Sequence, residues 1–144
     1  YPNLLRYHAI YKAKALKFKQ VRTLFGRCRR LPDIDTYDRK AQGEAERAAI
    51  NSPVQGTAGE FTLFGVCMLK LRLDPRVIFV NTIHDSVLLY IPDDLMESTL
   101  PLVRATMENL PTLRYFDTEL KKVSMKVDIE AATTNWKSMQ PVEL

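Results

Sequence analysis

Two β-rich apolar segments, residues 77–83 and 86–91, constrain the fold of this 144-residue chain more than any other feature. Valine, isoleucine, leucine and phenylalanine dominate both segments, and a proline lies just before the first and directly after the second. Such residues favour strands, whereas proline interrupts them. The segments meet at the polar pair His84-Asp85, so the sequence predicts an antiparallel hairpin with this pair at its bend.

Asp85 is an acidic side chain within about fifteen otherwise apolar or small residues, which makes it a candidate for chemistry. Burial of a lone carboxylate is costly, so we expect the bend to provide a cation, a metal ion or water. Mg²⁺ prefers carboxylate oxygens and keeps positions open for substrate phosphates, which suits phosphoryl transfer. The alternative is an ordinary β-turn in which the Asp85 side chain bonds to its own backbone.

Apolar residues at helical spacing predict two long helices before the hairpin. They recur three and four apart over residues 4–24, with lysines and arginines between them. Residues 25–33 contain glycine and proline and predict a basic loop. The second helix is expected over residues 42–71, with a break at residues 51–53 because proline disfavours helix at the preceding residue.

The remainder of the chain predicts one more helix and one more strand. Asp93 or Asp94 is expected to cap a helix that ends near Asn109, and Pro101 implies a kink or a second helix start near Thr99. Apolar and polar residues alternate over residues 123–130, which predicts a strand that joins the hairpin. This order indicates an α+β fold, an antiparallel sheet with the hairpin, packed against helices and preceded by a long basic helix.

Charge is distributed unevenly along the chain. The first 32 residues hold nine lysines and arginines and no aspartate or glutamate, whereas the rest carries 12 basic and 17 acidic side chains. The net charge of +4 therefore combines a basic amino-terminal arm with an acidic body. Such asymmetry indicates a polyanionic partner on one face, and a solvated helix surface is the alternative.

The composition favours a cytoplasmic protein without a membrane partner. Cys28 lies among arginines and Cys67 in an apolar segment, a pattern that fits reduced thiols better than a secreted disulfide framework. No segment approaches the roughly 20 apolar residues that span a bilayer. The chain begins at Tyr1 without an initiator methionine, so we expect a fragment, a processed product or half of a divided enzyme.

Three segments together resemble the family A, bacterial polymerase I-like, DNA polymerases. The segment ERAAINSPVQGTA at residues 46–58 resembles a helix of that family, and IHDS at residues 83–86 lies where the family has its motif C, at the tip of a palm hairpin. TLFGR at residues 23–27 and LPD at residues 31–33 resemble the family's arginine-rich loop. The order and spacing of the segments agree with the carboxy-terminal palm and fingers portion of such an enzyme.

The resemblance implies that Asp85 is one of two aspartates that hold two Mg²⁺ ions, the second aspartate lying outside this chain. In this chemistry the metals activate the primer 3′-hydroxyl and stabilise the leaving pyrophosphate. The resemblance also implies that His84 contacts the primer terminus. The alternative is a histidine whose hydrogen bonds are satisfied within the turn and which has no further role. The substrates would be primer–template DNA and deoxynucleoside triphosphates, in a bacterial or phage-infected cell.

The resemblance also implies five residues that contact the duplex. Gln55 and Asn51 would face the minor groove, where purine N3 and pyrimidine O2 accept hydrogen bonds in every correct base pair. Arg47, Arg27 and Arg29 would contact phosphates without reading sequence. The alternatives are a helix cap for Asn51 and an intrahelical ion pair for Arg47.

The chain departs from the family pattern in several places. Ser86 stands where the family usually has glutamate, from which we expect an altered rate, and Gly59-Glu60 replaces the usual Ala-Asp, from which we expect an effect on packing only. Neither the motif A strand nor the nucleotide-binding fingers helix of the family has a counterpart here. The chain is therefore not expected to polymerise without a missing amino-terminal portion.

Together these features predict the carboxy-terminal part of a template-directed DNA polymerase that acts in DNA replication. Residues 1–40 would end the fingers region, and residues 41–144 would form the palm portion. One alternative is a non-catalytic duplex-binding module that keeps the basic arm and Gln55. A second is a structural domain whose basic helix is merely solvated.

Overall fold

The computed structural model describes residues 1–111 and 125–143, which form helices and three two-stranded antiparallel sheets. This mixture agrees with the predicted α+β class. The chain divides into two compact units, Tyr1–Glu60 and Phe61–Leu144. The expected assignment of residues 1–40 and 41–144 to fingers and palm stays a prediction. Over the described residues, no helix has both the length and the apolar character that membrane crossing requires.

Helix α1 of the first unit spans Pro2–Phe18 and is shorter than predicted. It ends at Lys19, which has left-handed backbone geometry (φ 52°) and donates its amide to the Ala15 carbonyl at 2.8 Å. Strand β1 (Gln20–Arg22) follows at once. The helix expected over residues 4–24 is therefore wrong beyond Phe18, because pairing and burial of the next segment outweigh its weak helical preference.

Strand β1 forms a hairpin with β2 (Cys28–Arg30), in which Val21 pairs with Arg29. Val21 is 4% exposed, so the strand buries an apolar side chain that a longer helix would have placed elsewhere. Gly26 has φ 90° in the connecting loop, a geometry that glycine adopts without strain. A 3₁₀ helix at Pro32–Asp35 follows, so the basic loop expected over residues 25–33 contains regular structure.

Helix α2 runs without a break from Arg39 to Lys70, and the interruption predicted at residues 51–53 is wrong. Pro53 removes the donor for the Ala49 carbonyl, a change that costs a helix about 3 kcal/mol. Both residues are buried, and Ala49 is 0% exposed in the core of the first unit. Burial of these two side chains offsets the lost hydrogen bond. The helix propensity of proline does not include this contribution.

The core of the first unit combines small and branched side chains from several elements. Its buried members are Ala15, Val21, Leu31, Ile34, Ala45 and Ala49. At its edge the Tyr7 hydroxyl donates to the Ile50 carbonyl at 2.9 Å. Burial, and then the neighbouring Tyr11, raise the pKa of Tyr7 above 10.0. Leu4 and Leu5 are more than half exposed, so part of the apolar flank predicted for α1 is not buried here.

The second unit contains the predicted hairpin. Strands β3 (Ile78–Ile83) and β4 (Ser86–Tyr90) pair antiparallel with Ile83 opposite Ser86, which leaves two residues in the turn. A shift in register between Phe79 and Asn81 marks a bulge in β3. Bulges increase local twist and change where the end of a strand points.

Helix α3 spans Met96–Glu108 after a 3₁₀ helix at Asp93–Leu95. The predicted cap is wrong, because neither element has a side-chain cap and Asp94 instead accepts from Arg76 Nη1 at 2.9 Å. Pro101 lies inside α3 and does not start a second helix. Pro101 is the sixth residue of α3, so the Glu97 carbonyl lacks the donor that it would have in a regular helix.

The last strands pair with each other and not with the hairpin. Strand β5 (Glu130–Ala131) pairs with β6 (Gln140–Pro141), and the Val142 amide donates to the Ile129 carbonyl at 2.8 Å. The prediction that residues 123–130 form a strand in the hairpin sheet is wrong for the residues described, because residues 125–129 lie in no strand and Glu130 belongs to β5. Residues 123 and 124 lie outside the described part of the chain. Alternation indicates a strand but not its partner, and a partner close in sequence closes a shorter loop.

Candidate functional site

A cleft of about 660 Å³ in the first unit brings together four of the five residues predicted to bind nucleic acid. Asn51 and Gln55 line it from α2, while Arg27 and Arg29 line it from the β1–β2 hairpin. The fifth residue, Arg47, is not among the described residues that line the cleft. All five side chains are exposed, as contact with a large ligand requires.

The unbroken helix α2 places Arg47, Asn51 and Gln55 on one stripe, because residues four apart lie on the same helix face. Asn51 lies in the middle of the helix and cannot be its cap, so that alternative is wrong. Arg47 makes no ion pair with a carboxylate in the described part of the chain, so its intrahelical pair is not observed either. The amides and Arg47 are thus available to a partner.

Two contacts dock the β1–β2 hairpin onto α2 and so form the cleft. The Leu24 amide donates to the Thr57 hydroxyl at 3.0 Å. At Gly56 an added Cβ would lie 2.6 Å from Thr23 Cγ2, so the loop approaches the helix more closely than a larger residue allows. Gly56 and Thr57 therefore serve the close packing of the loop on α2.

The charge in the cleft comes from three arginines within four positions of the chain. Arg30 lines it with Arg27 and Arg29, and Ser52 adds a hydroxyl from α2. Among the arginines, Arg27 has an ion pair within the described chain, with Glu60 at 3.4 Å. Arg30 and Ser52 were not predicted. Arg30 could have been predicted from its position beside Arg29. Ser52 was not considered because a helix break was expected at residues 51–53.

The basic character of α1 is partly neutralised within the first unit. Lys12 pairs with Glu46 at 2.5 Å, and Lys19 pairs with Asp35. The Lys19 hydrogen bond holds the pKa of Asp35 below its usual 3.8. The arm predicted from charge therefore offers fewer unpaired cations than its composition indicates, and the arginines of the cleft carry more of the positive surface.

His84 and Asp85 form the two-residue turn between β3 and β4. His84 has φ 55°, in the left-handed region that non-glycine residues seldom adopt. A non-glycine residue in this region stores strain of about 1–3 kcal/mol, and such strain is common at functional sites. The Ser86 hydroxyl donates to the Ile83 carbonyl at 2.8 Å across the base of the turn.

The Asp85 side chain is exposed, so water can reach its carboxylate, which is one of the three possibilities expected from the sequence. The Thr62 hydroxyl donates to the Asp85 backbone carbonyl at 3.4 Å, which ties the turn to α2 within the second unit. Over residues 1–111 and 125–143, no three histidine, cysteine, aspartate or glutamate side chains form a metal-binding group. Asp85 thus presents one exposed carboxylate, a group of the kind that Mg²⁺ prefers as a ligand.

Comparison with known proteins establishes the family. The sequence model of DNA polymerase family A matches residues 1–138, and the chain belongs to this family. The DNA polymerase of Bacillus phage SP01 is 32% identical over 133 residues, which cover 90% of this chain and 14% of that protein. The thermostable DNA polymerase I of Thermus filiformis is 42% identical over 92 residues, covering 62% of this chain and 11% of that protein.

Among solved structures, the POL domain of Pol1 from M. smegmatis, in complex with DNA primer-template and dNTP, matches with a TM-score of 0.67. The two chains are 28% identical, and the match covers 72% of this chain and 19% of the other. The chain therefore spans a small part, 11–14%, of the two curated relatives just described.

Proposed function

We propose that this chain is the carboxy-terminal portion of a template-directed DNA polymerase that acts in DNA replication. The observation that carries the proposal is the Asp85 carboxylate, exposed at the tip of a two-residue turn in a chain of polymerase family A. The M. smegmatis relative is in complex with DNA primer-template and dNTP, and we take the same classes of ligand as substrates here. The proposed setting is the cytoplasm of a bacterial or phage-infected cell.

In this proposal Asp85 contributes one carboxylate to a Mg²⁺ site that a residue outside the chain completes. Bound Mg²⁺ supplies charge stabilisation at the attacking and leaving oxygens of nucleotidyl transfer. His84 presents its imidazole beside Asp85 at the tip of the turn, where it contacts the primer terminus. Ser86 has no carboxylate to add, and its role is to close the turn through Ile83.

The cleft of the first unit holds the primer–template duplex in the same proposal. Asn51 and Gln55 offer amide donors to the minor-groove acceptors that all correct base pairs share. Arg27 and Arg29 contact phosphates, and Arg47 extends this contact along α2. Phosphate contacts do not depend on sequence, which a replicating enzyme requires, and they weaken as salt rises.

Primer extension with Mg²⁺ tests the proposal on this chain alone and in the polymerase that contains it. We expect extension in the complete enzyme and none by the chain alone, since one carboxylate does not complete the site. Asp85→Asn should reduce extension by about 10²–10⁴-fold, because several kcal/mol of charge stabilisation is lost. Duplex binding should be nearly unchanged.

Asp93→Asn is the matched control, since Asp93 is an exposed aspartate in the same unit but outside the turn. It should extend primers like the unsubstituted enzyme. Full extension by Asp85→Asn would refute the metal role. Duplex binding without extension in every combination would support the non-catalytic binding module instead.

A further inference from the structure

We propose that Glu60 is a positioning residue, which holds the Arg27 guanidinium at the cleft and thereby strengthens the grip on duplex phosphates. The inference rests on the proposed function, because it takes the cleft to be where the duplex lies. Glu60 is not among the described residues that line the cleft, and its sequence context suggested a packing role only.

The geometry of the pair leaves the phosphate-binding end of Arg27 free. Glu60 Oε1 lies 3.4 Å from Nε, the inner nitrogen of the guanidinium. The terminal Nη2 lies 3.6 Å from the position that a Cβ on Gly56 would occupy, and Gly56 lines the cleft. Glu60 therefore contacts the inner nitrogen, Nε, while the terminal Nη2 lies beside a residue that lines the cleft.

Burial differs sharply between the two partners. The Glu60 side chain is 16% exposed, whereas that of Arg27 is 62% exposed. The carboxylate is thus a fixed support, and the guanidinium is the part that a ligand can reach. An arginine held in one orientation loses less conformational freedom when it binds a phosphate, which favours binding.

The backbone of Arg27 is also held in place. Its amide donates to the Thr23 hydroxyl at 3.0 Å, and its carbonyl accepts from the Thr23 amide at 2.9 Å. The contact between Leu24 and Thr57 docks the same loop one helical turn before Glu60. Backbone and guanidinium are therefore fixed by separate interactions, of which Glu60 supplies the second.

A purely stabilising role fits Glu60 poorly. Its second carboxylate oxygen, Oε2, is buried and has no hydrogen-bond partner in the described part of the chain. Burial of an unsatisfied charged oxygen opposes folding. The ion pair with Arg27 is the interaction that accounts for a glutamate at this position.

The negative charge of Glu60 would by itself repel phosphates, so its removal in Glu60→Gln should strengthen duplex binding if charge alone matters. If Glu60 positions Arg27, the same substitution should weaken duplex binding. The test is the affinity of the polymerase containing this chain for a fluorescent primer–template duplex, measured by anisotropy over a range of salt concentrations. Positioning predicts binding that is threefold to tenfold weaker at about 0.1 M salt. It also predicts a slope of log K against log salt that is shallower by up to about 0.9, the value of one phosphate contact.

Arg27→Ala should have the same effect as Glu60→Gln, and the double variant should bind like Arg27→Ala alone. Arg27→Lys keeps the charge but replaces the planar guanidinium by a single ammonium, so it should bind the duplex more weakly than the unsubstituted enzyme. Glu60→Asp, one methylene shorter, should fall between Glu60→Gln and the unsubstituted enzyme. The Arg27 variants and Glu60→Asp still test the inference if Glu60→Gln folds poorly.

Tighter binding or a steeper slope in Glu60→Gln would overturn the inference, as would effects of Glu60→Gln and Arg27→Ala that multiply in the double variant. If Arg27→Ala weakens binding and Glu60→Gln does not, the inference fails while the proposed function stands. If the unsubstituted enzyme does not bind the duplex, the proposed function fails and the inference fails with it.

Discussion

Gly56→Ala should destabilise the first unit, because the loop of the β1–β2 hairpin leaves no room for a Cβ. The added carbon would lie 2.6 Å from Thr23 Cγ2. Thr23 cannot rotate away freely, since its hydroxyl accepts from the Arg27 amide at 3.0 Å. Overpacking of this kind costs about 1–3 kcal/mol, and the better helix propensity of alanine returns about 1 kcal/mol. The net loss is therefore about 0–2 kcal/mol.

Gly59→Ala is the matched control on the same helix, since a Cβ there meets nothing within 4 Å. It should stabilise by about 1 kcal/mol, so the two variants should differ by about 1–3 kcal/mol. With a urea m-value of about 2 kcal/mol/M, their unfolding midpoints should differ by about 0.5–1.5 M. Urea unfolding followed by circular dichroism measures this difference.

Thr23→Ser identifies the clash as the cause of the loss. Serine lacks Cγ2 but keeps the hydroxyl, so it should restore most of the stability in the Gly56→Ala background and little in the Gly59→Ala background. Equal midpoints for the two alanine variants would refute the reasoning. A loss in Gly56→Ala that Thr23→Ser does not relieve would refute it as well.

Three further predictions concern other parts of the chain. Burial and Tyr11 raise the pKa of Tyr7 above 10.0, so the stability that the protonated Tyr7 contributes is lost as pH rises through its folded-state pKa. The Tyr7→Phe variant should therefore lose less stability than the unsubstituted protein between about pH 9 and 11, as measured by urea unfolding. The Lys19 hydrogen bond lowers the pKa of Asp35 below 3.8, so Asp35→Asn should reduce the loss of stability as pH falls below that value, and an unchanged acid titration of stability would contradict this. His84→Gly should relieve the strain at φ 55° and raise the free energy of unfolding by up to about 1 kcal/mol while lowering primer extension; unchanged extension would argue against contact with the primer terminus.

The β3–β4 hairpin was predictable because its signal is local. Two runs of strand-forming residues bounded by prolines and joined by a short polar pair leave few other arrangements. The exposure of Asp85 was not predictable from the same signal. Apolar neighbours suggested burial, but a two-residue turn projects both of its residues beyond the strands.

The course of α2 shows where local preference fails. Pro53 predicted a break, and the helix continues because Pro53 and Ala49 are buried on one of its faces. That continuity has a functional consequence, since it aligns Arg47, Asn51 and Gln55 on one face. The final strands show a similar limit. The alternation over residues 123–130 predicted a strand in the hairpin sheet, whereas among its described residues only Glu130 lies in a strand, β5, which pairs with β6.

By itself, the sequence determined the family, the hairpin and the candidate residues, because motifs and strand propensities are properties of neighbouring residues. Only the tertiary structure decided that four of those candidates share one cleft, since residues 27–29 and 51–55 meet through the packing of Thr23 on Gly56. It also placed Glu60 behind Arg27, a pairing across 33 positions that no local pattern records. Contacts between distant segments depend on how whole elements pack, and packing is decided by the burial of the complete core.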